Sequence, residues 1–285
     1  MAYPMLWGLV AALVIAVPAW RLRALDRSGL VAGVIVCTVI FGAGGLQASV
    51  ALVAFFLSGS ILSGLPLRKD EGGRMKDEGD SNSSLILHPS SLRKGRNWKQ
   101  VAANGGLPLL AILAASLIPG TRTAAMHFFF GAVAAAAADS WATEIGTRYD
   151  SNVRDILTAR PMQAGMSGGV SVIGILASLA GAVFIALSPL PFGGIHTPVL
   201  IAIVAGGFLG SLLDSVLGSS VQAVYWCEEC TCMVESPMQC NQAGSGGIRP
   251  AILIKGNRII TNNVVNFVSS GISGLFVMLL LDFAK

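Results

Sequence analysis

Charged side chains are scarce in this sequence. Only 12% of its 285 residues are Asp, Glu, Lys or Arg, whereas 53% are hydrophobic and the mean hydropathy is +0.69. A soluble domain usually carries about 25% charged residues, and half of that amount does not cover a globule of this size. The shortage of charge therefore all but excludes a soluble enzyme, and the excess of apolar residues excludes a disordered chain. The composition is typical of a protein that crosses a membrane several times.

The sequence also lacks a cluster of histidines and a P-loop motif. The three histidines, His88, His127 and His196, are scattered along the chain and support neither a metal site nor a catalytic triad. The chain contains no G-x-x-x-x-G-K-[ST] motif, which excludes a P-loop nucleotide site. The net charge of +4 is small and its basic residues lie in loops. It therefore indicates membrane topology rather than binding to nucleic acid.

The hydropathy pattern predicts an all-α polytopic membrane protein that forms a single membrane domain over residues 1–285. A helix needs about 20 mostly apolar residues to cross a bilayer, and eight segments qualify. The second is short and is separated from the third only by Gly44 and Gly45, so the two form either a tight helical hairpin or one broken re-entrant element. The eight candidate spans are 3–20, 28–43, 45–65, 101–119, 124–147, 168–188, 197–225 and 261–283.

Lys and Arg alternate between successive loops. The loops after the first, third, fifth and seventh spans each hold three or more basic residues, whereas the other loops hold only Arg122. The positive-inside rule then places the odd-numbered loops in the cytoplasm and both termini outside. Because no basic residue precedes the first apolar stretch, we expect a signal anchor rather than a cleaved leader. The expected location is the inner (plasma) membrane of a bacterium.

Residues 68–97 differ from the rest of the chain. They are charged, rich in Gly and Ser, and contain the near-repeat DEGGRMKDEG. Such a segment cannot bury enough apolar area to fold. We therefore predict a disordered cytoplasmic insert without a catalytic role.

Three carboxylates lie where lipid-facing residues are expected. Asp139 and Glu144 are on the fifth span, and Asp214 is on the seventh. A charge inside a membrane helix costs roughly 2.5–3.5 kcal/mol on insertion scales, so it indicates function. Three acids without an equal set of bases repel one another, and a divalent cation relieves the repulsion. Because Mg²⁺ binds one or two carboxylates together with substrate phosphates, the acids predict a magnesium–phosphate site.

The fifth, seventh and eighth spans each carry a polar stripe at helical spacing. Such stripes must face one another or a wet cavity, and the topology puts them near the cytoplasmic side. The sequence therefore predicts a polar cleft that faces the cytoplasm. For Ser211, Ser215 and Ser270 taken alone, helix–helix packing is the alternative role. The stripes contain Asp139, Ser140, Thr143, Glu144 and Thr147; Ser211, Asp214, Ser215, Gly218 and Gln222; and Asn263, Asn266 and Ser270.

The loop between the fifth and sixth spans, RPMQAGMSGGVS at 160–171, indicates phosphate binding. Arg160 is a bidentate phosphate donor, and glycines permit close approach of the backbone. The turn leads into a helix whose N-terminal amides favour an anion. The predicted phosphate-binding residues are Arg160, Gly165, Ser167, Gly168 and Gly169, with Ser140, Ser215 and Lys255 as further contacts to substrate or nucleotide.

Four cysteines lie close together in a predicted cytoplasmic loop over 226–260. The reducing cytosol argues against disulfides. A structural Zn²⁺ held by three or four thiolates is one interpretation, and a set of free thiols is the other, because the second half of the motif lacks its own C-x₂-C pair. The cysteines are Cys227, Cys230, Cys232 and Cys240.

Four motifs occur in a characteristic order: ADSWATEIGTRYD, the RP…G-x-SGGVS turn, GSLLDSVLG-S-x-x-Q and NNVVNF. Together they resemble an integral-membrane family whose best-defined member is the plant and cyanobacterial phytyl-phosphate kinase. The resemblance covers about residues 100–283 and more weakly 1–65. The D-S-x-A-x-x-x-G helix and the following Gly turn also look like the CTP-using prenol kinases and the phosphatidate cytidylyltransferases, which use Mg²⁺ on acidic membrane helices.

This resemblance implies a reaction. A nucleoside triphosphate, CTP in the phytyl case, would donate a phosphoryl group to an isoprenoid monophosphate of the phytyl or geranylgeranyl type and give the diphosphate. Asn263 and Asn266 would position the acceptor phosphate or a metal-bound water. Family members often have Asn-Asn-Asp at this point, whereas here Val264 replaces the acid. The eighth span therefore either supplies a metal ligand or only lines the cleft with polar side chains.

A transporter is the alternative to an enzyme. Buried acids and Asn on three helices also suit a lipid-phosphate flippase or an ion-coupled carrier. The clustering of the polar residues at one side, and the lack of a convincing inverted repeat, favour the enzyme.

Overall fold

Long α-helices make up most of the fold. The computed structural model describes residues 2–64, 95–150, 152–193, 196–228, 231–237 and 251–283. Eight α-helices lie within these ranges, and the predicted all-α polytopic class is confirmed. They are α1 (Ala2–Arg21), α2 (Arg27–Val39), α3 (Leu46–Gly64), α4 (Trp98–Leu117), α5 (Arg122–Tyr149), α6 (Val172–Leu187), α7 (Thr197–Ser220) and α8 (Asn262–Phe283).

Seven of these helices, with the short helical turns that continue α2 and α6, are long and apolar enough to cross a membrane. The remaining predicted span, 124–147, falls within α5. This helix packs against α3, α4, α6, α7 and α8, and every residue from 131 to 138 is buried. A helix surrounded by other helices needs small side chains for close packing more than large ones for contact with lipid. This explains why α5 is rich in Ala and less apolar than its neighbours.

The second and third predicted spans are two separate helices. Each reaches the length of a membrane span, and Gly45, with a φ of +82°, separates them. Arg122 donates hydrogen bonds to the carbonyl oxygens of Ala43 and Gly44, both at 3.3 Å. These bonds satisfy carbonyls that a helix end leaves without a partner. The lengths of the two helices favour two separate spans over one broken re-entrant element.

Two small antiparallel sheets lie on the loops after α5 and α7. In the first, β1 (Arg154–Asp155) pairs with β2 (Gly169–Val170). The second has the order β4–β3–β5, with β3 (Val224–Cys227) between β4 (Cys232–Val234) and β5 (Ile252–Lys255). These pairings hold the two loops against the ends of the helices.

The second sheet changes the prediction for the loop over 226–260. The helix α7 ends at Ser220, before the predicted end at 225, because Val221 leaves the helical conformation and β3 follows. Tyr225, Val234 and their buried neighbours form a small apolar cluster inside the sheet. The described part of this loop is therefore folded against the bundle.

The end of the predicted insert over 68–97 also belongs to the fold. The carbonyl oxygen of Arg96 accepts a hydrogen bond from the Asp26 amide at 3.1 Å, at the turn between α1 and α2. Asn97 caps α4 with a reciprocal capping box, which stabilises the first turn of a helix. The prediction of disorder is wrong for these last residues. Residues 65–94 lie outside the described residues, so for them it stays a prediction.

Candidate functional site

A polar cleft with a volume of about 130 Å³ lies between α5, α6, α7 and the start of α8. It is on the side of the bundle that carries the two small sheets. The polar stripes predicted on the fifth and seventh spans contribute side chains to it. The polar side chains along its walls are Asp139, Thr143, Thr147, Ser167, Ser171, Ser178, Ser211, Asp214, Ser215, Glu235 and Asn262.

Two carboxylates from different helices meet in this cleft. Asp214 is only 5% exposed, and its Oδ2 accepts a hydrogen bond from Ser269 Oγ at 2.8 Å. In the amide orientation that satisfies both partners, Asn266 Nδ2 also lies 3.0 Å from Asp214 Oδ2. Asp139, by contrast, accepts no hydrogen bond from any described residue, and the charges that act on it are those of Asp214 and Glu235. Asp139 is therefore a carboxylate that faces other carboxylates.

The cleft contains acids and lacks bases. Among the described residues that line it are three carboxylates and no Lys, Arg or His. In a site partly shielded from water such repulsion is strong, so the cleft favours a cation. No group of three His, Cys, Asp or Glu side chains within the described ranges is close enough to hold a metal alone. A bound cation would thus complete its coordination with oxygens of a ligand or water, as Mg²⁺ commonly does.

The predicted glycine-rich turn lines the same cleft as these carboxylates. Gly165 and Gly168 have φ values of +85° and +89°, in the left-handed region that favours glycine. A Cβ atom on Gly168 would lie 2.6 Å from the backbone nitrogen of Ser219, so the turn is pressed against α7. The helix α6 starts directly after it, and Ser171 Oγ caps this helix by accepting from the Gly174 amide at 3.1 Å. The turn and the start of α6 thus line the cleft. The Gly169 amide is already engaged, because it donates to the Met166 carbonyl oxygen at 3.1 Å.

One buried hydroxyl on the cleft wall has no partner. Ser178, on α6, is 1% exposed, and its Oγ makes no hydrogen bond within the part of the chain that the structure describes. A buried polar group without a partner costs roughly 1–3 kcal/mol. This hydroxyl therefore indicates that a polar ligand or water belongs in the cleft.

Three polar residues of the cleft, Ser178, Glu235 and Asn262, are not among the predicted site residues. Glu235 follows β4, and its Oε1 accepts a hydrogen bond from the Ser167 amide at 2.6 Å. Asn262, at the start of α8, accepts from Ser167 Oγ at 3.3 Å. Asn262 could have been found from its polar neighbours. No spacing rule points to Glu235, because a non-helical segment carries it.

Glu144 does not reach the cleft. It lies five residues after Asp139, which rotates its side chain by about 140° around the helix. It faces α3, where Ser63 Oγ donates to Glu144 Oε1 at 2.6 Å. Arg148 Nη1 forms an ion pair with Glu144 Oε2 at 3.1 Å. The predicted set of three intramembrane ligands is therefore divided, with two acids in the cleft and one paired elsewhere.

The other predicted residues divide in the same way. Gly165, Ser167, Gly168, Gly169 and Ser215 line the cleft. Asn266 lies behind Asp214 and orients it. The residues that the structure does not place on the cleft wall are Ser140, Arg160, Lys255 and Asn263. Arg160 and Lys255 are exposed on the loops, so neither touches the site in this conformation.

A second loop carboxylate, Asp155, supports the cleft from behind. Its Oδ2 accepts from Ser219 Oγ at 2.6 Å, and its Oδ1 accepts from the Leu157 and Thr158 amides at 3.0 and 2.8 Å. Burial alone raises the pKa of Asp155, but these hydrogen bonds outweigh it and hold the pKa below its usual range. Asp155 thereby ties the glycine-rich loop to the end of α7.

The cysteine cluster is described only in part. Cys227 and Cys232 lie opposite each other in the β3–β4 pair. Burial raises the pKa of the Cys232 thiol, and the neighbouring Cys227 raises it further. Cys230 and Cys240 lie outside the described residues, so the zinc site stays a prediction.

Comparison with known proteins gives the family of the chain. The sequence profile described as "Integral membrane protein DUF92" matches residues 10–274. The chain is 28% identical to Protein PGR of Arabidopsis thaliana, over 94% of this chain and 92% of that protein. It is 30% identical to an uncharacterized membrane protein of Methanocaldococcus jannaschii, over 69% of this chain and 74% of the relative. No solved structure matches the chain. With a profile match over nearly all of its helices, the chain belongs to the DUF92 family of integral membrane proteins.

Proposed function

We propose that this protein is a membrane kinase for isoprenoid monophosphates. It transfers a phosphoryl group from a nucleoside triphosphate, preferably CTP, to a monophosphate of the phytyl or geranylgeranyl type. The observation that carries the proposal is the pairing of Asp139 and Asp214 across one cleft from a glycine-rich turn and a helix N-terminus. Acids that hold a metal and amides that hold phosphate are the two parts that phosphoryl transfer requires.

The donor set of the cleft fits Mg²⁺. Asp139 and Asp214 supply carboxylate oxygens, and the hydroxyls of Thr143 and Ser215 are close by on the same walls. Hard oxygen ligands and incomplete protein coordination suit this ion when phosphates fill the remaining positions. The bound ion would neutralise charge on the phosphates during transfer. Ser269 and Asn266 position Asp214 for this task through their hydrogen bonds.

The chain's own residues need to do little covalent chemistry. An oxygen of the acceptor monophosphate attacks the terminal phosphorus of the donor, and a new phosphorus–oxygen bond forms. The bond from that phosphorus to the bridging oxygen breaks, and the nucleoside diphosphate leaves with the electron pair. Because the acceptor oxygen is already anionic, no strong base is required. This suits a cleft whose described lining holds no histidine.

The phosphate positions follow from the walls of the cleft. The turn at Gly165, Gly168 and Gly169 and the first turn of α6 line the same cleft as the two acids. Backbone amides at a helix N-terminus bind phosphate without any basic side chain. The absence of Arg160 from the wall is therefore compatible with phosphate binding. The isoprenoid chain of the acceptor would lie between the apolar helices that surround the cleft.

An assay with purified protein tests this proposal. The protein in detergent micelles is incubated with a panel of prenyl monophosphates, MgCl₂ and either CTP or ATP, and products are identified by mass spectrometry. We expect a prenyl diphosphate that forms only with Mg²⁺ and nucleotide and that Asp139→Asn protein does not form. If the protein forms no diphosphate but moves prenyl phosphate across the membrane of proteoliposomes, the kinase proposal is wrong and the flippase is supported.

A further inference from the structure

The Ser167 amide is the one backbone donor of the glycine-rich turn that a side-chain carboxylate holds. The acceptor is Glu235 Oε1, at 2.6 Å. Glu235 follows directly after β4, so the small sheet brings it over the cleft. Its carboxylate occupies the place where an anionic ligand of this turn would bind. Carboxylate and phosphate oxygens accept hydrogen bonds from amides in the same way.

The position of Glu235 is electrostatically unfavourable. Its charge acts on both Asp139 and Asp214, and the described lining of the cleft contains no basic side chain. Like charges in a partly buried site destabilise one another. The hydrogen bond from the Ser167 amide therefore offsets part of this repulsion.

A second observation shows that the cleft is built for a polar ligand. The Ser178 hydroxyl, 1% exposed, lines the same cleft and has no hydrogen-bond partner among the described residues. It lies two turns after the capped start of α6. Glu235 thus does not satisfy every buried polar group of the cleft, because the Ser178 hydroxyl still lacks a hydrogen-bond partner among the described residues.

We infer that Glu235 is a competing carboxylate that occupies the Ser167 amide in the substrate-free protein and is displaced from it by a metal-bound phosphate. This inference rests on the proposed function, because it concerns the same phosphate position. It also assigns a specificity. A free phosphate meets three carboxylates and is repelled, whereas a phosphate that carries a divalent cation is attracted by Asp139 and Asp214 and exchanges with Glu235.

The expected effect follows from competition. A site that is free for only a fraction of the time binds its ligand more weakly by that same fraction. Replacing Glu235 by Gln keeps the shape of the side chain but removes its charge, so the amide becomes available more often. We expect the affinity for a metal-bound phosphate to rise about tenfold.

Calorimetric titration of inorganic pyrophosphate tests this without any catalysis. Pyrophosphate is titrated into the full chain in lipid nanodiscs, once in saturating MgCl₂ and once in EDTA. The samples are the wild type, Glu235→Gln and Glu228→Gln. Glu228 is the matched control, because it is an exposed acid at the end of β3 in the same sheet. Monodisperse elution and an unchanged Tm establish that each variant is folded. A Glu235→Asp variant keeps the charge but is too short for the hydrogen bond, so it should also bind magnesium pyrophosphate more tightly than wild type. Wild-type affinity in Glu235→Asp would overturn the competition and leave only charge repulsion.

The expected result is tighter binding of magnesium pyrophosphate by Glu235→Gln, an unchanged Kd in Glu228→Gln, and no binding by the wild type in EDTA. Equal affinity in Glu235→Gln and wild type would overturn the inference and make the contact incidental. Weaker binding in Glu235→Gln would also overturn it, since Glu235 would then be a metal ligand. If neither wild type nor variant binds magnesium pyrophosphate or a magnesium nucleotide, the proposed function fails together with the inference.

Discussion

Two faces of α5 carry carboxylates in opposite environments. On the cleft face, Asp139 accepts no hydrogen bond from a described residue and faces the negative charges of Asp214 and Glu235. On the face toward α3, Glu144 accepts from Ser63 and forms an ion pair with Arg148. The second carboxylate has its partners within the fold, whereas the first has none among the described residues and would gain one from a bound cation. The comparison teaches that the partners of a buried acid, and not the acid itself, separate a structural role from a functional one.

The largest expected effect concerns the cleft face. Asp139→Asn and Asp214→Asn each keep the shape of the side chain and remove a charge that would hold the metal. We expect a loss of at least about a hundredfold in kcat for each, or about 2.7 kcal/mol. The double variant should cost much less than the sum, because residues that act as one unit are not additive. Steady-state kinetics at saturating Mg²⁺ measure this, and Tm should hold or rise because repulsion is relieved.

Turnover within a few fold of wild type in both Asn variants would show that Asp139 and Asp214 do not hold a catalytic metal. The contrast between the two faces of α5 would then have no catalytic meaning. The same variants would next be tested for proton coupling in proteoliposomes.

The second prediction concerns the opposite face. Glu144→Gln removes the negative charge that forms the ion pair with Arg148, whose side chain is 4% exposed while that of Glu144 is 29% exposed. Breaking this partly solvated pair should reduce the free energy of unfolding by roughly 1–3 kcal/mol. The kcat of the folded protein should stay within a few fold, since Glu144 does not line the cleft. A thermal scan and the kinase assay on the same sample check both parts, and a kcat loss as large as in Asp139→Asn would contradict the division of the two faces.

The third prediction concerns Ser178, an uncharged residue on the wall of the cleft. Ser178→Ala removes a buried hydroxyl that has no partner among the described residues. If that hydroxyl contacts the phosphate ligand, the KM for the nucleotide should rise about tenfold, or about 1.4 kcal/mol. The Tm should not fall, because no hydrogen bond within the described fold is lost. Ser273→Ala is the matched control, since Ser273 Oγ donates to the carbonyl oxygens of Gly131 and Gly206 and its loss should lower Tm.

The fourth prediction concerns the support of the glycine-rich loop, and no change in turnover is expected from it. Because the pKa of Asp155 is lowered in the folded state, it stabilises the protein above the pKa of the unfolded chain. That stability is lost as the pH falls through the lowered folded value. Ser219→Ala removes one hydrogen bond to the ionised carboxylate and should cost about 1.5–3 kcal/mol at neutral pH before local relaxation. Tm measured from neutral to acidic pH should therefore fall less steeply in Ser219→Ala, and parallel curves would show that Asp155 is not responsible.

Helix existence and the boundaries of the glycine-rich turn were accessible from the sequence. Ser171 is a good N-cap residue two positions after Gly169, and α6 starts one residue later. The predicted set of site residues was wrong where the local sequence pattern does not determine which side chains meet in the folded protein. The prediction assigned Glu144 and Asp139 to one site because they lie on adjacent polar stripes of one span, although the helical rotation turns Glu144 toward α3. It missed Glu235 because the segment that carries it has neither a helical period nor a known motif.

What the sequence by itself determined is the membrane class and the chemistry available to it. Apolar runs can only be satisfied as helices in lipid, because each helix pairs its own backbone groups, and few charged residues remain to be placed. What the tertiary structure decided is which of those charges meet. Asp139, Asp214 and Glu235 come from α5, α7 and the segment after β4, and only the packing of these elements brings them to one cleft. The physical reason is that a helix is stabilised by contacts within a few residues, whereas the surroundings of a buried charge depend on every element packed against it.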